Sequence, residues 1–169
     1  GTFSFTMIAL VGTTASGTKT ITEGVFNVTF SAPVSIPNAP ETGNAPMTAL
    51  VNGKSWVGAY KISASYQNNF LSMVVFDGQS ATINFGIGGV TGPGTYSLAY
   101  GNAGGSSAIY SNGLGQGWGT AFSGGAGSIT ISQLTSNGVF GTFSFDAVPA
   151  TGGATGTIQV TNGQFNIVF

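Results

Sequence analysis

A chain of 169 residues is long enough for one β-sandwich domain with an appendage, and short for two full domains. Only 4% of its residues are charged, against about 25% in an ordinary soluble domain, yet 41% are apolar and 13 are phenylalanine, which indicates a folded chain. The net charge of −1 and the lack of arginine and histidine argue against nucleic acid and anionic membranes as partners, and the lack of cysteine excludes disulfides and thiolate metal sites.

The start of the chain repeats its end. Residues 1–10 read GTFSFTMIAL and residues 141–150 read GTFSFDAVPA. After a loop that differs by one residue, residues 17–30 read GTKTITEGVFNVTF and residues 156–169 read GTIQVTNGQFNIVF. The offset is 140 residues before the loop and 139 after it, and the apolar positions stay in phase. A long fixed period of this kind is typical of a repeat architecture.

Each copy is predicted to form a β-hairpin, because apolar and polar residues alternate with a period of two along both arms. An isolated hairpin is only marginally stable in water, so the first copy needs a partner for its apolar face. We predict that this face, on residues 1–30, is an assembly interface. Its residues are Phe3, Phe5, Met7, Phe26, Val28 and Phe30.

Residues 31–46 hold four of the six prolines and show no periodic pattern, so we predict an extended, semi-rigid linker. The domain proper is then predicted over residues 47–169. Three arrangements of the first hairpin remain open. It packs into a preceding domain of a tandem polypeptide, it is donated to the sheet of a neighbouring subunit, or it folds back onto its own sandwich.

Residues 47–169 show alternating segments separated by turn signals at the spacing of a β-sandwich. Asn52-Gly53 predicts a type I′ hairpin turn, and Asp77-Gly78 predicts a turn between strands at residues 70–76 and 80–87. The first of these strands is apolar on both faces, as expected of a central strand covered on both sides. We therefore predict an all-β, antiparallel sandwich, Ig-like or jelly-roll-like, with negligible helix.

Further strands are predicted at residues 94–100 and 127–134. The glycine-rich residues 113–119 fit either a strand with one face free of side chains, which a second sheet or a ring can approach closely, or a flexible loop. No apolar stretch reaches the about 18 residues of a membrane helix, so we expect no membrane insertion.

The order of several short motifs along residues 47–169 resembles a poorly characterised family of secreted and lipoprotein-type β-domains. These are Val-Asn-Gly-x-x-Trp at 51–56, Gly-Thr-Tyr at 94–96, Gly-Thr-Phe-Ser-Phe at 141–145 and Thr-Asn-Gly-x-Phe at 161–165. The family occurs in Bacteroidota and related Gram-negative bacteria. The resemblance implies an exported β-domain at the cell surface or outside the cell, and it implies no catalytic site.

Catalytic chemistry lacks the necessary groups. General acid–base catalysis needs titratable side chains brought together, and the complete list of acids is Glu23, Glu41, Asp77 and Asp146. The two copies of the repeat replace Glu23 by Asn162 and Asp146 by Thr6, which is not expected of a catalytic pair. Without histidine, the only bases for a serine nucleophile are Lys19, Lys54 and Lys61, and the neighbours Lys54 and Ser55 are predicted to point to opposite faces of a strand, so we expect no such dyad. With no histidine, no cysteine and no Asp-x-Asp cluster, we expect no metal site. We predict no enzymatic activity and no cofactor.

Two functions of different classes fit these features. The first is a structural subunit of an extracellular filament or surface fibre, whose partners are copies of itself. The second is a carbohydrate-binding or adhesive module, in which Trp56 and Trp118 stack on surface glycans. Ice or mineral binding through a flat Thr/Ser face is a third possibility, but the sequence shows no regular Thr-x-Thr ladder.

Overall fold

The computed structural model describes residues 2–8, 18–25 and 45–169. Every regular element in these ranges is a strand, which confirms the all-β prediction. The chain divides into two compact units, Gly1–Asn38 and Ala39–Phe169. Within the described ranges no helix is long and apolar enough to span a membrane.

The first unit contains a two-stranded antiparallel sheet, here called the N-terminal hairpin. It consists of β1 (Thr2–Ile8) and β2 (Thr18–Val25). The exposed hydroxyls of Thr6 and Thr20 lie 3.2 Å apart across the pair.

The second unit contains eleven strands in one antiparallel sheet that folds over into a sandwich, nearly closed into a barrel. Their spatial order is β4-β3-β13-β12-β10-β9-β7-β6-β5, and β11 pairs with both β12 and β8. The strands are β3 (Met47–Val51), β4 (Lys54–Gly58), β5 (Lys61–Gln67), β6 (Phe70–Phe76), β7 (Thr82–Ile87), β8 (Gly94–Ser97), β9 (Ser107–Ser111), β10 (Gly117–Gly119), β11 (Ala126–Thr135), β12 (Gly138–Thr151) and β13 (Ile158–Val168).

The long strand β12 joins the two layers of the sandwich. Its first part, residues 138–146, pairs with β11, whereas residues 148–151 pair with β10 in the other layer. Phe85 of β7 faces β12 across the core, with its ring centroid 4.9 Å from that of Phe143 and 6.0 Å from that of Phe145. These aromatic contacts hold the layers together at the middle of the hydrophobic core.

Turn chemistry explains where adjacent strands reverse. Asn52 and Gly53 both have positive φ angles, 48° and 76°, as the predicted type I′ turn requires. The Asp77 carboxylate accepts hydrogen bonds from the backbone N–H groups of Gln79 and Ala81 at 2.7 and 3.0 Å, which closes the turn between β6 and β7. Both predicted turns are confirmed.

The prediction that β6 is covered on both faces is wrong. Leu71, Met73 and Val75 are fully buried, but on the other face Phe70 is 48% exposed and Val74 is only partly buried. The second face looks outward because the sandwich has no third layer. In the glycine-rich segment, Gly117–Gly119 forms the short strand β10, with the Phe122 ring lying over Gly119.

Candidate assembly site

The β12–β13 hairpin occupies a central place in its layer. On its outer side β12 pairs with β11 and then β10, and β13 pairs with β3 on the opposite side. We call this place, bounded by β11 and β10 on one side and by β3 on the other, the hairpin slot. The core-facing side chains that the hairpin contributes there are buried, namely Val139, Phe143, Phe145, Ala147, Val160, Phe165 and Ile167.

The N-terminal hairpin has the same register as β12–β13. Phe3 is paired with Gly24 in the first hairpin, and Phe143 is paired with Gly163 in the second. The register then shifts in both hairpins at the corresponding residue, between Phe3 and Phe5 and between Phe143 and Phe145. After this β-bulge the corresponding pairs again agree, with Phe5 opposite Ile21 and Phe145 opposite Val160. The similarity of sequence is therefore matched by the backbone pairing, including its irregularity.

Next to the bulge, the close approach of the Phe143 ring to β13 depends on a glycine. A Cβ atom at Gly163 would lie 2.4 Å from two atoms of the Phe143 ring, which is closer than real side chains approach. The ring can lie flat on the backbone of β13 only because residue 163 has no side chain. The N-terminal hairpin keeps a glycine, Gly24, at the matching position.

The two hairpins differ in their neighbours. Among the described residues, β1 and β2 pair only with each other, whereas β12 and β13 are paired on both outer sides. Phe3, Phe5 and Met7, three of the predicted interface residues, lie on β1. The other three, Phe26, Val28 and Phe30, and the predicted linker up to residue 44 lie outside the described residues. The assembly interface therefore stays a prediction.

The free edges of the described sheet carry its lysines. β4 and β5 end the main strand order, and they hold Lys54 and Lys61, both exposed. The third edge is β8, which has only four residues. Edge lysines and short edge strands are devices that prevent pairing with another sheet. These edges are therefore poor acceptors for a donated strand, and the hairpin slot is the better candidate.

The two tryptophans lie in the core. Trp56 of β4 is 7% exposed and Trp118 of β10 is 6% exposed, so neither ring offers a face to a sugar. The indole Nε1 of Trp118 donates to the carbonyl oxygens of Thr155 and Gly156, at 3.2 and 3.1 Å, and fixes the connection between β12 and β13. Nearby, burial and then the charge of Asp77 raise the pKa of Tyr110. The glycan-stacking interpretation of Trp56 and Trp118 has no geometric basis in this structure.

The acidic residues lie apart from one another along the described strands and turns. Asp77 closes a turn, Asp146 is exposed on β12 and Glu23 lies in β2, while Glu41 falls outside the described ranges. No group of three His, Cys, Asp or Glu residues able to hold a metal ion is found there.

A feature that the sequence pattern does not show is a polar outer face on the layer that contains the slot. Cross-strand pairing aligns one hydroxyl or amide side chain from each of five neighbouring strands, in the order Thr95, Thr130, Thr142, Gln164 and Thr48. The Thr95 and Thr130 hydroxyls lie 2.9 Å apart. Single strands carry only Ser/Thr-x-Ser/Thr pairs, and the row appears only when the register is known. The row itself carries no charge, and Asp146 is the acidic residue on the outer face of β12.

A family model described as "Domain of unknown function (DUF6252)" matches residues 43–168. No curated protein and no solved structure matches this chain. The matched range coincides with the eleven-stranded unit and leaves the N-terminal hairpin outside it.

Proposed function

The chain belongs to the DUF6252 family, and we propose that it is a structural module of an extracellular fibre or surface array, joined head to tail to further copies of itself. In this proposal it has no catalytic activity and needs no cofactor. The observation that carries the proposal is the common register of the N-terminal hairpin and β12–β13, including the bulge. One hairpin is flanked by strands of its own domain, and we propose that the other is flanked in the same way by strands of another copy.

The number of hairpins favours copies that are joined in one polypeptide. Each chain offers one hairpin slot, already filled by β12–β13, but contains two hairpins of the same design. If separate subunits exchange hairpins, every chain still leaves one hairpin without a slot. If the N-terminal hairpin is instead the last hairpin of a preceding domain copy, each domain has one slot and one hairpin. Repeat arrays of this kind bury a continuous series of cores along one axis.

The low charge fits the same proposal. A small domain that diffuses freely is usually protected from association by a net charge of about 2 to 8 in magnitude. This chain has a net charge of −1. Such a surface suits a module whose neighbours are held permanently beside it. The cell surface of a Gram-negative bacterium is the location that the motif resemblance implies, and we propose it on that basis.

Denaturing electrophoresis of the protein isolated from its natural source tests the joined form. We expect a species several times larger than the 16.9 kDa of this chain, and elongated particles by negative-stain electron microscopy before denaturation. A band near 16.9 kDa together with filaments would support separate subunits in a fibre. A band of that size with only dispersed globular particles, and residues 1–30 intact, would refute the structural function.

A matched pair of variants tests the role of the hairpin face. In the full chain, Phe3→Ser with Phe5→Ser replaces both phenylalanines of the predicted interface on β1, whereas Thr6→Ser changes an exposed residue of the same strand. We expect light scattering to show association of the parent chain and of Thr6→Ser at rising concentration, and not of the double variant. Equal association of all three would exclude the hairpin face as the contact.

A further inference from the structure

A hairpin that fills the hairpin slot must meet several structural demands. The strand beside β11 must bring two aromatic rings against Phe85, and these are Phe143 and Phe145 in β12. The strand beside β3 must have a glycine where the first of these rings crosses it, and this is Gly163. The strand beside β3 must also hold one extra residue at the bulge, so that Val160 and Gly163, three residues apart, both face the core opposite Phe145 and Phe143.

The N-terminal hairpin meets these demands position by position. Its pairing places the same or similar residues at the core-facing points of the same bulged register. In the paired strands, Phe3 corresponds to Phe143, Phe5 to Phe145, Gly24 to Gly163 and Ile21 to Val160. In the sequence alignment alone, Phe26 and Val28, which lie outside the described residues, match Phe165 and Ile167.

Two positions explain why β12–β13 is the resident hairpin. Met7 stands where the slot holds Ala147, which is fully buried, and a larger side chain in a packed core is unfavourable. Lys19 stands where the slot holds Ile158, which packs against the core. The resident hairpin therefore fits better than the N-terminal one, although both have the required register and aromatic pair.

We infer that the N-terminal hairpin fills the hairpin slot of a preceding copy, as that copy's last hairpin and in the register of β12–β13. This inference rests on the proposed head-to-tail function and names its contact. It places β1 beside β11 and β2 beside β3 of the other copy. By correspondence with the observed pairs, Thr22 lies opposite Leu50 of that copy and Phe5 lies opposite its Gly127.

The acceptor in the test is a full-length chain in which both hairpins are disabled by Phe3→Ser, Phe5→Ser, Phe143→Ser and Phe145→Ser. It is labelled with nitrogen-15 and diluted from denaturant into excess unlabelled parent chain, whose N-terminal hairpin is intact. We expect a one-to-one complex in which acceptor amides become dispersed and protected from hydrogen exchange. A donor with Phe3→Ser and Phe5→Ser is the matched control, and we expect no complex with it.

A second measurement reports the register of the contact directly. Because the chain has no cysteine, a donor with Thr22→Cys can be mixed under oxidising conditions with the hairpin-disabled acceptor that also carries Leu50→Cys, whose slot is not occupied by an intact β12–β13. We expect a disulfide-linked heterodimer from this pair, and none from Thr6→Cys with Leu50→Cys, because β1 lies on the far side of the hairpin from β3.

Absence of both the complex and the register-specific disulfide would overturn the inference. Rescue by the control donor would also overturn it, since the contact would then not involve the β1 phenylalanines. The outcome is separable from that of the proposed function. If fibres form but the N-terminal hairpin does not bind the slot, the contact between copies lies elsewhere and only this inference fails. If the hairpin binds the slot but no fibres form, the inference holds and the proposed fibre function fails.

Discussion

At the scale of single residues, the bulge glycine decides whether an aromatic ring can enter the core. Gly163 is buried, and its missing Cβ leaves room for the Phe143 ring. Gly92 is a matched control, because a Cβ there would meet no atom within 4 Å and its φ is not in the left-handed region. Gly163 lies buried in β13 and Gly92 lies in a bend outside the strands, and only at Gly163 would an added Cβ meet other atoms.

We predict that Gly163→Ala lowers the free energy of unfolding by about 1–3 kcal/mol, because the added methyl group overpacks the core against the Phe143 ring. Gly92→Ala should change it by no more than about 0.5 kcal/mol. Urea unfolding followed by the fluorescence of the two tryptophans measures both variants. Equal stability of Gly163→Ala and the parent chain would show that the ring does not need this close approach.

At the scale of elements, the local sequence pattern predicted the strands and turns, but it did not predict which strands pair with one another in the sheet. The Asn52-Gly53 turn and the alternation in β12 and β13 are encoded within a few residues, so periodicity is enough to find them. The pairing of Thr161 with Leu50 joins residues far apart in the chain, and no local signal specifies it. The slot, which depends on β3 and β11 together, was therefore not predictable from the sequence.

The tryptophans show the same limit at the candidate site. From the sequence, Trp56 and Trp118 fit a sugar platform as well as a core, because aromatic residues are common in both. The two tryptophans are buried because their faces of β4 and β10 turn toward the core. The residues next to each tryptophan in the sequence do not show which face that is. In contrast, the repeated Thr-x-Gly of the two copies was visible in the sequence, and its function in the bulge required the register.

Edge strands give a prediction at this scale. Lys54 and Lys61 lie on the two strands that end the main order of the sheet, where a charge opposes pairing with another sheet. We expect Lys54→Thr with Lys61→Thr to increase lateral association, even though the net charge becomes more negative. Lys54→Glu with Lys61→Glu keeps a charge on each edge and should remain dispersed. Static light scattering against concentration compares the two, and association of the glutamate variant alone would contradict the argument.

At the scale of the whole molecule, hydroxyl and amide groups replace charge as the source of surface polarity. The row from Thr95 to Thr48 crosses five strands without an ionisable side chain. The row binds water without contributing long-range electrostatic repulsion between copies. In the assembly that we propose, the contact between copies therefore comes from apolar burial and backbone pairing rather than from attraction between charges.

This leads to a prediction about salt. The Debye length falls from about 10 Å in 0.1 M salt to about 3 Å in 1 M salt, and this stronger screening weakens contacts that depend on exposed charges. We expect the affinity between copies to change by no more than about twofold over that range in sodium chloride, because the contact we propose is apolar. Sulfate at equal ionic strength should strengthen it, since excluded salts favour apolar burial. Analytical ultracentrifugation measures both series. A steep loss of affinity in sodium chloride would mean that the few charges of this chain, and not its phenylalanine-rich hairpin, hold the copies together.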